Sequence, residues 1–229
     1  MKKIIVGITD CSRYPNYEKW ITDEPGVDVI RLSYRDNNFQ DIKKCHGILL
    51  TGGEDVHPKF YNKPEYSNYC EKIDEERDQF EKRVIEYSQE KELPVLGICR
   101  GLQIANVFFG GQLIPDILHF KNSNHTKDRD SDKYHDVQVK KDSLLREIVG
   151  VEKGEINSAH HQSADKIGAD LAINATSNDG IIEGLERKDA GGKPFLLLVQ
   201  WHPERMKDQS SMFSKNIKKS FLQAVRNNS

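Results

Sequence analysis

Short runs of Val, Ile and Leu alternate along this chain with longer segments of mixed polarity, and this alternation constrains the fold more than any other feature. Several of the runs are almost wholly apolar, as is typical of strands that are buried on both faces. The runs that we interpret as strands cover residues 3–9, 27–32, 47–51, 94–98, 112–117, 137–140, 171–175, 181–185 and 195–201. Strands alternating with helical segments predict an α/β protein with a parallel sheet covered by helices.

Three segments carry the periodicity of amphipathic helices. The first spans 73–90, the second starts after Cys99 and ends at Gly110-Gly111, and the third contains the apolar positions from Phe213 to Val225. No internal repeat or linker interrupts the pattern, and the polar stretch 121–133 is predicted to be a surface loop rather than a boundary. We therefore predict a single domain over residues 1–229.

Charge and hydropathy exclude several classes of partner. With 34 basic and 36 acidic residues the formal net charge is −2, so no overall field attracts nucleic acid. The apolar runs fall far short of the ~20 residues that a membrane helix requires. After Met1-Lys2-Lys3 only three apolar residues precede Gly7, too few for the core of a secretory signal. We expect a cytoplasmic protein that binds neither nucleic acid nor membrane.

Neither the cysteines nor the histidines suggest a metal site. The four cysteines lie far apart, without a C-x-x-C pair. The histidines in and beside the polar loop, His119, His125 and His135, do not show the spacing of metal ligands. The sequence therefore predicts no metal and no cofactor.

One cysteine stands where a nucleophile is expected. Cys99 follows the predicted strand 94–98 and precedes a predicted helix, with Gly97 and Gly101 on either side, as in a tight strand-to-helix elbow. The positive end of the helix favours the thiolate, which is the form that attacks carbonyl carbons. The alternative is an ordinary buried cysteine ahead of a helix.

Two further strand ends carry groups that suit such a nucleophile. His202 lies at the end of an apolar strand with Glu204 two residues later, an arrangement of base and orienting carboxylate. Gly52-Gly53 follows the strand 47–51, and backbone N–H groups there are able to approach a ligand closely. The alternative interpretations are that His202 is an ordinary histidine at a strand end, that Glu204 caps a helix, and that Gly52-Gly53 forms a simple turn.

Four motifs resemble the class I glutamine amidotransferase-like superfamily, and within it the free-standing γ-glutamyl peptide hydrolases of the γ-glutamyl-γ-aminobutyrate hydrolase type. They occur in the family's order across nearly the whole chain. The motifs are Gly52-Gly53-x-Asp55, Gly97-Ile98-Cys99-Arg100-Gly101-x-Gln103, Asn157-Ser158-x-His160-His161-Gln162 and Gln200-Trp201-His202-Pro203-Glu204.

The resemblance implies a flavodoxin-like fold, in which a central, mostly parallel sheet is flanked by helices, and it implies a role for each motif. Cys99, His202 and Glu204 are expected to form the catalytic triad, with main-chain N–H groups at Gly53 and Arg100 as the oxyanion hole. The expected substrate-binding residues are Gly52, Gln103, His160 and His161.

The function implied is hydrolysis of the γ-glutamyl amide of a small molecule through a γ-glutamyl thioester, with release of glutamate. An alternative keeps the same half-reaction in the glutaminase subunit of a two-component amidotransferase, which passes ammonia to a separate synthetase partner. A third possibility, a non-catalytic binding protein, would require a broken triad. By family analogy a homodimer is possible.

Overall fold

A nine-stranded sheet organises the protein. The computed structural model describes residues 3–129 and 131–229. The strands are β1 (Ile4–Thr9), β2 (Val27–Leu32), β3 (Gly47–Leu50), β4 (Val95–Ile98), β5 (Leu113–Ile114), β6 (Lys133–Val139), β7 (Lys153–Ser158), β8 (Ser163–Ala164), β9 (Leu171–Ser177), β10 (Ile182–Arg187) and β11 (Leu196–Val199). The α-helices are α1 (Tyr14–Thr22), α2 (Glu75–Glu90), α3 (Arg100–Phe108), α4 (Ile117–Lys121), α5 (Leu144–Val149) and α6 (Lys215–Asn227). Short 3₁₀ helices cover Phe39–Lys44, Pro58–Tyr61, Pro64–Tyr69 and Pro203–Arg205.

The sheet has a parallel part and an antiparallel part. Its strand order is β2-β1-β3-β4-β11-β10-β9-β6-β7. From β2 to β11 all neighbours are parallel, whereas from β11 to β7 all neighbours are antiparallel. β5 and β8 pair separately as a small antiparallel sheet. In the parallel part, β3, β4 and β11 are adjacent, so their carboxyl ends open at one edge.

Helices cover both faces of the parallel strands. Side chains of α1 and α6, including Trp20 and Phe221, pack with Ile8 and Val199 on one face. On the other face, α2 and α3 bury their apolar stripes against residues such as Leu198. This architecture confirms the predicted fold class of a mostly parallel sheet flanked by helices.

Helix α2 shows how the local sequence sets a boundary. The Asp74 side chain accepts a hydrogen bond from the Arg77 backbone N–H and so caps the helix. Glu75, Glu76 and Asp78 fill the first turn, where carboxylates stabilise the positive helix end. The fixed start of α2 orients Arg77 toward the carboxyl ends of the parallel strands.

Most predicted strands agree with the structure within a few residues, but the prediction of a strand over 112–117 was wrong. Only Leu113 and Ile114 pair, because Pro115 has no backbone N–H to donate. Asp116 then caps α4 by accepting from the His119 N–H. Within the residues that the structure describes, no helix is long and apolar enough to cross a membrane.

Candidate active site

Three adjacent parallel strands bring the sequence motifs together. β3 ends before Thr51-Gly52-Gly53, β4 ends before Cys99, and β11 ends three residues before His202. The imidazole and the thiol flank Gly52, since a Cβ placed on that glycine would lie 3.0 Å from His202 Cε1 and 3.6 Å from Cys99 Cβ. Residues far apart in sequence therefore meet at one sheet edge, where α/β proteins commonly bind ligands.

Cys99 occupies a strained turn between β4 and α3. Its φ of +54° and ψ of −106° place a non-glycine residue in a region that side chains rarely adopt. The turn requires small neighbours: a Cβ on Gly97 would lie 2.6 Å from Leu198 Cδ2, and one on Gly101 would collide with the Leu50 carbonyl oxygen. This geometry is that of a nucleophile elbow, which presents its side chain above the sheet.

The predicted base and its orienting carboxylate are in contact. His202 Nδ1 lies 2.9 Å from Glu204 Oε1, and both side chains are buried. The His202 backbone N–H donates to Asn157 Oδ1 at 3.1 Å, which anchors the segment to β7. Burial alone lowers the pKa of His202, but the Glu204 carboxylate and Cys99 outweigh it and raise this pKa to about 9. The site therefore favours an imidazolium next to the cysteine.

Tyr17 of α1 belongs to the site although no motif predicted it. Its hydroxyl accepts a hydrogen bond from the Gly52 N–H at 3.0 Å and lies 3.5 Å from His202 Nδ1. The amide of Gly52 is thus occupied, which leaves the next amide, that of Gly53, as the donor this loop offers to a ligand. Gly53 has a φ of +147°, a conformation that favours glycine.

A buried ion network supports both backbone donors of the predicted oxyanion hole. Arg77 donates to the Gly52 carbonyl at 2.9 Å and to Thr51 Oγ1 at 3.0 Å, and it pairs with Glu81 at 3.0 Å. The Arg100 guanidinium pairs with Asp78 and Glu81. The Arg100 side chain therefore points away from the cavity, while its backbone begins α3 directly after Cys99.

Removing one member of such a network leaves an uncompensated buried charge, which costs about 3–5 kcal/mol. No sequence motif indicates this role for Arg77, which fits equally well as one more position on an amphipathic helix.

Two small cavities meet at Cys99. One, of about 160 Å³, is lined by Gly53, Asp55, Gln103 and His161, among others. The second, of about 290 Å³, extends toward α1 and the loop after α4. A substrate whose scissile bond lies at Cys99 would thus place one part in each cavity.

His161 is one of the basic groups that line the smaller cavity. Its Nε2 lies 2.8 Å from Asp55 Oδ1, and Asp55 Oδ2 accepts from the Glu71 N–H at 2.7 Å. Burial lowers the pKa of His161, but the Asp55 carboxylate outweighs this effect and the net pKa is raised. Gln103 is buried nearby and donates to the Gln162 carbonyl at 3.1 Å and to Gln200 Oε1 at 3.3 Å.

His160 differs from its neighbour in orientation. It borders the smaller cavity, but its Nδ1 lies 3.0 Å from the Gln162 carbonyl oxygen and its Nε2 faces Glu183 at 3.7 Å. Both nitrogens are therefore directed away from Cys99. The structure brings His161 and Gln103 to the cavity with their polar atoms near it, but not the nitrogens of His160.

The fold and the site together define a class of protein. The chain has the class I glutamine amidotransferase fold, with Cys99 at the turn between β4 and α3. A glutamine amidotransferase of known structure from Thermotoga maritima aligns with a TM-score of 0.67 at 15% identity, covering 99% of this chain and 98% of that one. The model of the family described as Peptidase C26 matches residues 11–204. The chain belongs to this family of glutamine amidotransferase-like hydrolases.

Two relatives show the range of the family. A Rickettsia prowazekii protein named for its likeness to glutamine amidotransferases is 31% identical, with 90% of this chain and 93% of that protein covered. The γ-glutamyl-γ-aminobutyrate hydrolase PuuD of Escherichia coli strain K12 is also 31% identical, over 72% of this chain and 66% of the enzyme. Against three further relatives the chain spans 63%, 54% and 65% of the relative's length.

The four thiols are expected to differ in reactivity. Burial raises the pKa of Cys11, that of Cys45 to about 12 and that of Cys70 to about 11. Cys99 instead lies at a helix N-terminus close to the His202 imidazole, surroundings that are typical of reactive cysteines. Iodoacetamide at neutral pH should therefore alkylate Cys99 at least ~10-fold faster than the other three, as followed by peptide mass spectrometry. Equal labelling rates would contradict the proposed activation of Cys99.

Proposed function

We propose that this protein is a cysteine hydrolase that cleaves the γ-glutamyl amide bond of a small molecule through a thioester. The observation that carries the proposal is the position of Cys99 at a strained elbow, beside a buried His202–Glu204 pair whose Nδ1 and Oε1 are 2.9 Å apart. Cys99 lines both cavities.

The reaction would proceed in two halves. The Cys99 thiolate attacks the amide carbon, and the resulting oxyanion accepts hydrogen bonds from the backbone N–H groups of Gly53 and Arg100. When the C–N bond breaks, the His202 imidazolium gives its proton to the departing amine, leaving a γ-glutamyl thioester. The neutral imidazole then takes a proton from water, whose oxygen displaces the sulfur and releases glutamate. Glu204 orients the imidazole throughout.

The smaller cavity suits the glutamyl half of the substrate. A glutamyl group carries an α-ammonium and an α-carboxylate, and the cavity contains charges of both signs. The basic side chains of His161 and Lys72 and the acidic side chains of Glu71 and Asp55 all line it. We assign the contact with the α-carboxylate to His161 rather than His160, whose nitrogens are both directed elsewhere.

The larger cavity suits an amine that itself carries a carboxylate. Its lining includes the basic side chains of Arg13, Lys127 and Arg205. Among the acidic groups there, Glu54 is paired with Arg77 at 2.7 Å and with Lys72 at 3.3 Å. Arg205 also contacts Asp132 at 3.0 Å. Arg13, Lys127 and Arg205 form what we call the basic rim of this cavity, and it leads us to propose an anionic leaving group.

A matched pair of substrates tests this proposal. The purified chain should hydrolyse γ-glutamyl-4-aminobutanoate with a kcat/KM about tenfold above that of γ-glutamyl-n-butylamide, because one charged hydrogen bond contributes ~1.5 kcal/mol. Glutamine should be poorer than the first substrate, since binding energy from a leaving group lowers the barrier only when that group is present. In Arg13→Met the tenfold preference should shrink, while the rate with the neutral amide is unchanged. Released glutamate is the measured product.

Other results would select another function. A preference for glutamine, or inertness of every γ-glutamyl amine until a second protein is added, would favour the glutaminase subunit of an amidotransferase. Equal rates for the charged and neutral amides would support the hydrolase function but contradict the proposed role of the basic rim.

A further inference from the structure

Four side chains outside the proposed catalytic chemistry converge on one point beneath the turn that follows β7. They come from separate places in the chain: His125 from the loop after α4, His135 from β6, His160 from that turn and Glu183 from β10. One ligand atom of each lies within 4.8 Å of all the others. The convergence of three imidazoles on one carboxylate is the donor set of a metal site.

The distances from the Glu183 carboxylate to the three imidazoles are close to those around a tetrahedral ion. Glu183 Oε1 lies 3.2 Å from His125 Nδ1, 3.5 Å from His135 Nε2 and 3.7 Å from His160 Nε2. Four ligands at the ~2.0–2.1 Å typical of zinc stand about 3.3 Å from one another. An ion would therefore fit between these atoms after small side-chain movements.

The second nitrogen of each imidazole has its own acceptor. His125 Nε2 lies 2.9 Å from Asp179 Oδ2, His135 Nδ1 lies 3.0 Å from the Asp136 carbonyl oxygen, and His160 Nδ1 lies 3.0 Å from the Gln162 carbonyl oxygen. A ring nitrogen that donates its proton outward leaves the other nitrogen with a free lone pair. This is the arrangement that orients histidine ligands of metals.

The inward atoms are mostly buried and lack hydrogen-bond partners. The Glu183 side chain is fully buried and the side chains of His125 and His160 are 4% and 2% exposed. Among the described residues, neither Glu183 oxygen has a partner with hydrogen-bond geometry, and the same holds for the inward nitrogens of the three histidines.

We propose that His125, His135, His160 and Glu183 bind one divalent transition-metal ion, and that zinc is the ion this donor set fits best. Imidazole nitrogens disfavour calcium and magnesium, which prefer oxygen ligands. Four protein ligands close the coordination sphere of zinc, which is typical of a structural site.

Such an ion would connect the loop after α4 to the catalytic segment. The His125 carbonyl already accepts from Ser158 Oγ at 2.7 Å and from the His160 N–H at 3.0 Å. Asn157, next in the chain to Ser158, binds the His202 backbone N–H. The metal would thus fix both the loop that contains Lys127 and the strand end that anchors His202. The proposal opposes the expectation of no metal, which rested on sequence spacing alone.

Zinc binding to the purified full chain tests the site. The experiment uses the Cys99→Ala variant, so that this thiol does not compete for zinc. The variant is first stripped of metal with a chelator and then titrated with Zn²⁺. We expect one Zn²⁺ per chain by elemental analysis, a rise in Tm of at least ~5 °C, and an X-ray absorption spectrum with nitrogen and oxygen ligands but no sulfur.

Ligand variants locate the ion. His135→Gln should weaken zinc affinity at least ~100-fold, and since this side chain is 24% exposed the variant is expected to fold. Glu183→Gln should do the same, with circular dichroism confirming the fold. The control is His119→Gln, which changes an exposed histidine of α4 outside the cluster and should leave zinc binding unaltered.

The proposal would be overturned if the stripped chain bound no zinc stoichiometrically. It would also be overturned if the affinity were the same in His135→Gln and Glu183→Gln as in the parent, or if the absorption spectrum showed sulfur ligands. These readouts do not depend on hydrolysis, so the metal site is tested independently of the proposed function.

Discussion

Replacing Cys99 with alanine is expected to reduce turnover of a γ-glutamyl amide by at least ~10³-fold, equivalent to about 4 kcal/mol of transition-state stabilisation. Without the sulfur no thioester forms, and only substrate binding and the oxyanion donors remain. Alanine lacks the thiol but keeps the Cβ, so the substitution adds no backbone strain at this position, where φ is +54°. The variant should fold and still bind substrate, which glutamate release and calorimetry measure separately.

Cys45→Ala is the matched control for loss of a buried thiol. Cys45 is also buried, but it lies just before β3, at the opposite end of that strand from Gly52. Its replacement should cost some stability and leave kcat unchanged. Near-normal turnover in Cys99→Ala, or an equal loss in Cys45→Ala, would contradict the assignment of the nucleophile.

The sequence predicted the part of the fold that holds the candidate site because that part consists of continuous apolar runs. β3, β4 and β11 have four buried residues each, and an apolar run of this length followed by turn residues favours a strand over a helix. β7 was missed for the opposite reason. It lies at the edge of the sheet and has a single large apolar side chain, Ile156, among polar residues and a glycine.

The candidate site was predictable only where its residues lie in short motifs. Cys99, His202 and Glu204 follow strand ends and lie within two residues of glycine or proline, and the structure brings them together. Tyr17 and Arg77 hold the Gly52 loop from two helices whose patterns look like ordinary amphipathic surfaces. Their roles depend on tertiary contacts that no local spacing encodes.

The His125, His135, His160 and Glu183 cluster shows the same limit more strongly. Its four members span 59 positions and come from two strands and two loops, and the antiparallel half of the sheet brings them together. Sequence reasoning considered two of these histidines and found no ligand spacing, because ligand spacing is recognisable only when ligands share a turn or helix.

His202→Ala and Glu204→Gln are expected to separate the roles of base and orienting residue. His202→Ala removes the proton carrier and should lower kcat at least ~10³-fold. Glu204→Gln keeps the imidazole, whose Nδ1 then faces an amide instead of a carboxylate, so the loss should be ~10- to 100-fold smaller. Equal losses in the two variants would mean that Glu204 does more than orient His202.

The pH profile distinguishes an electrostatic role of Glu204 from a merely structural one. Because the imidazolium delivers the proton to the leaving amine, kcat/KM should fall as the pH rises through the His202 pKa of about 9. The Glu204 carboxylate raises this pKa, so Glu204→Gln should lower it and move the falling limb to lower pH. Glu152→Gln, the same change at a carboxylate that is 75% exposed and distant from the site, should leave both rate and profile unchanged. A slower Glu204→Gln enzyme with its falling limb still near pH 9 would show that the carboxylate supports the fold of the site without tuning the imidazole.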